Sequence, residues 1–219
     1  SRKMAENLAL SRIEKLLDEG SFVEIGALVS AKQTDFSLKN YGEKSDGVIT
    51  GYGLIDSNPV FVYSQNREIL SGTVGEMHAK KIAGIYDRAR QKGAPVIGLI
   101  DSGGFRLQES VDALDAFRHL LVSKTREAYD RLQICAVFGN CAGGLSLIPA
   151  LSDFTFMTKN ANMFINSPQT ITDNEKIAKN FSSSEYQAKE SGNAQIFDSE
   201  DEMIAHIRKL IIMIRSEKR

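Results

Sequence analysis

The sequence predicts an α/β fold built on a mainly parallel sheet with helices on both faces, and three observations predict it. Two continuously apolar runs, Val96–Ile100 and Ile134–Phe138, lack the in-out alternation of a half-solvated strand. Stretches of helical period precede and separate them, as crossovers between parallel strands require. Each run enters a glycine turn: Asp101-Ser102-Gly103-Gly104 after the first, Gly139-Asn140-Cys141-Ala142-Gly143-Gly144 after the second. Right-handed crossovers put both turns at the same carboxyl edge of the sheet, where α/β proteins hold ligands.

The other elements follow in order. Leu8, Ile13, Leu16 and Leu17 give residues 5–18 a helical stripe that Gly20 closes. Phe22–Ile25 is a short strand, and residues 30–46 are polar and aperiodic, hence a loop. Gly47–Ile55 and Val60–Tyr63 form a hairpin across Asp56-Ser57-Asn58-Pro59. Thr73 and Glu76 make a capping box ahead of a stripe through Val74, Met77, Ile82, Ile85 and Ala89, ended by Gly93. A helix over 109–130 carries Val111, Leu114, Phe117, Leu120 and Leu121. A short helix after Gly144 stops before Asp153, and Phe154–Met157 and Met163–Ile165 are strands. Residues 170–193 hold at most a weak helix, and Ser199 with Glu202 caps a last helix to about Ile214. On that helix Met203, Ile204, Ile207, Leu210, Ile211 and Ile214 complete a core-facing stripe. Ile212 and Met213 add apolar surface beyond it, which predicts self-association or a covering partner.

Composition narrows the function classes. A chain of 219 residues can bury a core as one domain spanning 1–219, without disulfide staples or a structural metal. Lys plus Arg number 27 against 28 Asp plus Glu, a balance that argues against a nucleic-acid partner. No run of about 18 apolar residues offers a membrane span. The N-terminal residues lead into an amphipathic stretch, so no signal peptide is expected. Cys135 and Cys141, six apart, fit neither a zinc pattern nor a disulfide framework. They are expected to be buried thiols in a reducing, cytoplasmic compartment, with no metal.

Strand-to-helix turns leave backbone N–H groups without intrahelical acceptors, and glycine lets a ligand approach them. Such amides at the positive end of a helix suit an anion or a developing oxyanion. Gly143-Gly144 is the better placed pair, because a helix follows at once. Asp101-Ser102-Gly103-Gly104 also resembles the nucleophile turn of chymotrypsin-like proteases, which needs an all-β chain and a histidine base. His78, His119 and His206 all fall in helical stretches and are expected on solvated positions. No Gly-x-x-x-x-Gly-Lys occurs, and Gly51-Tyr52-Gly53 lies inside a strand. Glu109 and Asp112 form a solvated helix face.

Several segments carry a family resemblance. Leu17–Glu24, Asp46–Gly53 and Gly75–Ile82 resemble biotin-dependent acyl-CoA carboxyltransferases. So do Asp101–Gly104 with Gln108-Glu109, Cys141–Gly144 with Pro149-Ala150, Leu151–Met157 and Phe164-Ile165. The match runs in order from about residue 5 to 168 and is closest to propionyl-CoA carboxylase and glutaconyl-CoA decarboxylase types. The resemblance implies a crotonase-like ββα superhelix and an acyl-CoA substrate. It implies that the amides of Gly143 and Gly144 hold the thioester oxygen and stabilise its enolate. Ser71, Gly72, Thr73, Ser102, Gly103 and Gly104 are then CoA-thioester contacts, together with Phe105, Arg106 and Ala142. Biotin on a separate carrier, a second carboxyltransferase half and a homo-oligomer are the implied cofactor and partners. The chain departs from the family at Asn66-Arg67-Glu68, at Leu70-Ser71-Gly72-Thr73, at Phe105 and beyond residue 169. A non-catalytic CoA-binding or assembly subunit of the same fold is the alternative.

Overall fold

The computed structural model describes residues 8–26, 46–104, 110–126, 131–164, 183–189 and 194–216. Its sheet begins with a hairpin, β2 (Val48–Ile55) and β3 (Asn58–Gln65), with the two-residue strand β1 (Val23–Glu24) antiparallel on β2. From β3 onward the sheet is parallel: β4 (Val96–Ser102), β5 (Gln133–Ala142), β6 (Phe154–Thr158) and β8 (Gln195–Phe197) follow in spatial order. β7 (Asn162–Phe164) pairs with the far end of β5.

Two apolar clusters cover the two faces. On one, α2 (Glu76–Lys92), α3 (Ser110–Thr125) and the short α4 (Leu147–Ala150) pack Ile82, Ile85, Leu120 and Ile148 onto Val96, Ile100, Cys135 and Val137. On the other, α1 (Leu8–Leu16) and the C-terminal α6 (Glu200–Ser216) pack Ile13, Leu16, Ile207 and Ile211 onto Ile97, Leu99, Ile134 and Ala136. Alternate residues of β4 and β5 thus enter opposite cores, so neither run shows a polar face. Helix α5 (Ser184–Lys189) precedes β8.

Local details refine the sequence reading. The hairpin turn is only Asp56-Ser57, both at positive φ (48° and 63°), and Asn58 and Pro59 already belong to β3. Asp18 supports this turn by accepting the Asp56 and Ser57 amides at 3.0 and 2.9 Å. The Ser57 amide, with the Arg208 guanidinium, holds the Asp18 carboxyl below its ordinary value against the opposing effect of burial. Ser199 Oγ accepts the Glu202 amide at 3.2 Å, the expected cap of α6. Helix α2 instead starts after Gly75, not at Thr73. β5 continues four residues past Phe138 through an irregularity in its pairing with β4.

The core of the α2–α3 face contains a fully buried cation. Lys124 Nζ donates to Gln133 Oε1 at 2.5 Å and Ser152 Oγ at 3.0 Å, and lies 5.0 Å above the Tyr86 ring. Burial pushes its amine down from 10.5 to about 8. The folded chain then releases this proton near pH 8 and the unfolded chain near 10.5, so between them the unfolded state binds more protons. This contribution therefore makes stability rise with pH across that window. Tyr63, Tyr86, Cys135 and Cys141, all raised by burial, act oppositely above about pH 9. We expect the stability of Lys124→Met relative to the parent to fall by on the order of 2–3 kcal/mol between pH 7 and 10. Urea unfolding across that range checks this; a pH-independent difference would contradict it.

Candidate active site

Three backbone segments meet at the carboxyl edge of the sheet. The first follows β3 and ends in a 3₁₀ turn, Leu70–Gly72, where Ser71 (φ 56°, ψ 26°) and Gly72 (φ 65°) are both left-handed. Ser71 has a Cβ, so this conformation costs about 1 kcal/mol and persists only because neighbours enforce it. The second is the end of β4, Ser102-Gly103-Gly104. The third is the end of β5, where Ala142 leads into a 3₁₀ turn, Gly143–Ser146, and then α4.

Hydrogen bonds tie the first two segments together. Ser102 Oγ donates to Gly72 O at 2.7 Å and accepts the Gly104 amide at 3.2 Å. The Gly103 amide donates to Ser71 O at 3.2 Å, and the Val74 amide to Gly104 O at 2.7 Å. Thr73 packs here too: a Cβ added to Gly103 would lie 3.7 Å from Thr73 Cγ2. The third segment abuts them, since a Cβ on Gly104 would sit 4.0 Å from Ala142 O. Ser71 and Gly103 are exposed, Thr73, Ala142, Gly143 and Gly144 half-buried, and Gly72, Ser102 and Gly104 buried. Phe105 and Arg106 lie outside the described residues.

Gly143 has φ 64°, which an L side chain rarely adopts, and it opens a helical turn. The first amides of such a turn have no intrahelical acceptor. Two half-buried N–H groups at the head of consecutive 3₁₀ and α turns can bind a carbonyl oxygen and stabilise negative charge there. The site offers this chemistry through backbone alone. Ser102 Oγ is tied to backbone on both sides, donating to Gly72 O and accepting the Gly104 amide, which suits a structural role.

The structure adds residues that sequence reasoning missed. Asp101 is 5% exposed, with Arg12 at 3.3 Å and the exposed Arg67 at 3.8 Å from its carboxylate. Arg12 also donates twice to Glu200, at 2.8 and 3.1 Å, and lies 4.4 Å above the Phe138 ring. The signal was present: Arg12 falls inside the α1 stripe between Ala9, Ile13 and Leu16, where a charge demands a buried partner.

His78 is fully buried, not solvated as expected from its helix position. Its tautomer follows from its partners. Gln65 Oε1 accepts the Asp101 amide at 3.1 Å, so Gln65 Nε2 is the donor toward His78 Nε2 at 3.2 Å. Nδ1 then carries the proton and donates to Asp46 O at 3.1 Å. This histidine is a support behind the site. His119 is exposed on α3, and His206 packs against the Phe156 and Phe197 rings. Among the described residues no group of three or more His, Cys, Asp or Glu is arranged to hold a metal. No helix among them is long and apolar enough to cross a membrane.

Comparison with known proteins decides the family. The family model described as the carboxyl transferase domain matches residues 1–219. The chain belongs to the carboxyl transferase family. It is 40% identical over 213 residues to the methylmalonyl-CoA decarboxylase alpha subunit of Propionigenium modestum, covering 95% of this chain and 41% of that protein. It is 38% identical to the propionyl-CoA carboxylase beta chain of Roseobacter denitrificans, covering 93% of this chain and 41% of the relative. The transcarboxylase 12S structure with methylmalonyl-coenzyme A superposes at TM-score 0.87 and 34% identity, over 93% of this chain and 41% of that one. A Pseudomonas malonate decarboxylase hetero-tetramer superposes at TM-score 0.80 and 25% identity, over 95% of this chain and 82% of that chain. The fold is thus the crotonase-like fold of these carboxyltransferases. The chain spans about two fifths of the length of its first curated relatives.

A backbone site with a committed serine predicts the behaviour of Ser102 variants. Ser102→Ala should retain a large part of any activity, and a fluorophosphonate probe should leave the protein unlabelled in intact-mass analysis. Stoichiometric labelling would instead make Ser102 a nucleophile.

Proposed function

We propose that residues 1–219 form the acyl-CoA-binding half of a biotin-dependent carboxyltransferase or decarboxylase. The observation that carries this is the meeting of three segments at one sheet edge, with Gly104 beside Ala142 and the left-handed Gly143 opening the next turn, within a carboxyl transferase chain whose relatives are named for CoA thioesters. The thioester carbonyl lies against the Gly143 and Gly144 amides. Ser71, Gly72, Thr73, Ser102, Gly103, Gly104 and Ala142 shape the groove beside it, and we assign Phe105 and Arg106 to CoA-thioester binding as well. When the α-carbon loses a proton or carbon dioxide, charge moves onto the thioester oxygen, and preorganised amides favour that state over the ground state.

Biotin, carried on a separate protein, would donate the carboxyl group in the carboxylation direction and receive it in the decarboxylation direction. The amide pair described here suits one carbonyl oxygen. A second oxyanion site for the carrier group belongs to a partner half. The malonate decarboxylase match, described as a hetero-tetramer, supports assembly with other chains. Exposed Val111, Leu114, Leu147, Leu151, Ile212 and Met213 offer apolar surface for that half and for homo-oligomer contacts. The buried free thiols Cys135 and Cys141 support a cytoplasmic location.

Two outcomes test the reading. In the complex with its partner half, Gly143→Val should lose on the order of 10²–10³ in turnover, since it distorts one oxyanion donor. Normal turnover by a folded Gly143→Val complex would remove the amide assignment. The purified chain alone should elute as an oligomer, bind CoA thioesters weakly and show no biotin-dependent transfer until the second half is added. A monomer that transfers carboxyl groups unaided with free biotin would contradict the partner requirement.

A further inference from the structure

The buried carboxylate of Asp101, one residue before Ser102-Gly103-Gly104, contacts the segment after β3 through Arg67 and the end of β5 through Asn140, yet points away from the cradle these segments form. β4 alternates its side chains between the two cores: Ser102 turns to the α2–α3 face and Asp101 to the α1–α6 face. The amide and both carboxylate oxygens of Asp101 are engaged. Its amide donates to Gln65 Oε1 at 3.1 Å. Its carbonyl packs so closely on Gly72 that a Cβ there would collide with it. Oδ1 accepts the Asn140 amide at 3.4 Å and faces Arg67, while Oδ2 accepts Arg12 at 3.3 Å.

The contact to β5 is the informative one. Ile100 pairs with Val137, but Ser102 pairs with Cys141, so β5 carries two extra residues opposite Asp101. A Cβ on Gly139 would collide with the Asp101 carboxylate. The carboxylate therefore occupies the space the glycine leaves and holds the irregular stretch by the Asn140 amide. Where β5 resumes determines where Ala142 ends and how the Gly143-Gly144 amides are aimed, three residues further on.

We propose that Asp101 is a positioning residue for the reaction. It sets the Gly143-Gly144 amides relative to the Gly72 and Gly104 backbone without touching substrate, and so acts on turnover more than on thioester binding. This rests on the oxyanion reading of Gly143 and Gly144. A misplacement of about 1 Å can cost on the order of 10²-fold in rate, so a small relaxation of this stretch has a measurable consequence.

The test uses the chain assembled with its partner half, with kcat normalised to the fraction that binds CoA thioester in calorimetric titration. Asp101→Ala should lower kcat about 10- to 100-fold while KM stays within about threefold. Asp101→Asn keeps an acceptor for the Asn140 amide and should recover at least a third of the lost decades. Hydrogen–deuterium exchange of the 139–146 segment should quicken in Asp101→Ala and stay near parental in Asp101→Asn. If Asp101→Ala does not fold, because Arg12 keeps only Glu200 as a partner, the pair Arg12→Met/Asp101→Asn and Arg12→Met/Asp101→Ala gives the same comparison with both charges removed. A parental kcat in the folded Ala variant, or equal losses and equal exchange in the Asn and Ala variants, would overturn the positioning role. If Gly143→Val also turns over normally, the oxyanion reading has failed; if Gly143→Val is impaired and Asp101→Ala is not, only the positioning role has.

Discussion

The carboxylate of Asp101 is the contact on which the geometry of this molecule depends. It sits at the carboxyl end of the central strand, 5% exposed, with Arg12 from the first helix beside it and Glu200 from the last helix beyond. A carboxylate so placed is tolerated only if its oxygens are satisfied, and each has a charged or amide donor. Removing Asp101 would leave Arg12 with Glu200 as its remaining carboxylate, and removing Arg12 would leave Asp101 with the exposed Arg67 as its charged neighbour. The requirement is mutual. Because Asp101 must be satisfied, α1, α6, the β5 irregularity and the loop after β3 are all drawn to one point.

That point lies beneath a cradle made almost entirely of backbone. A parallel sheet delivers successive strand ends to one edge, and here β3, β4 and β5 end within reach of one another. The chain then uses conformations that favour glycine: Gly72 and Gly143 are both left-handed, and Ser71 shares that region at some cost. Amides held this way cannot titrate and need little reorganisation when charge develops, which suits enolate stabilisation better than a flexible cation would. Ser102 and His78, which in other settings are reactive groups, serve here as ties. One is bound to Gly72 O and the other is wedged between Gln65 and Asp46.

The layering was legible in the sequence because periodicity records burial. The apolar runs at 96–100 and 134–138, the α2 and α6 stripes and the Ser199 cap all stand where pattern places them. That the glycine turns share one sheet edge was legible for another reason: crossover handedness leaves them no other side. Local signals misled where tertiary contacts outweighed them. Thr73 begins no helix; it lies beside the glycine turn of β4. Strand β5 runs through Gly139–Cys141 because β4 and β7 pair with it beyond the point where its apolar run stops. The short β8 carries too few residues to show any period.

By itself, then, the sequence determined the α/β class, the order of the principal elements, the sheet edge that carries the glycine turns and, through its motifs, the carboxyltransferase family. These depend on contacts between near neighbours in the chain, or on patterns repeated often enough to register. Only the tertiary structure decided that Arg12, Asp101 and Glu200 form one charged cluster, across separations of 89 and 188 residues. It alone placed His78 inside, locked the Ser102 proton and gave Gly143 its left-handed turn. The physical reason is that burial of a polar group is favourable only with its partner in place. No stretch of sequence shows a partner that the fold brings from the other end of the chain.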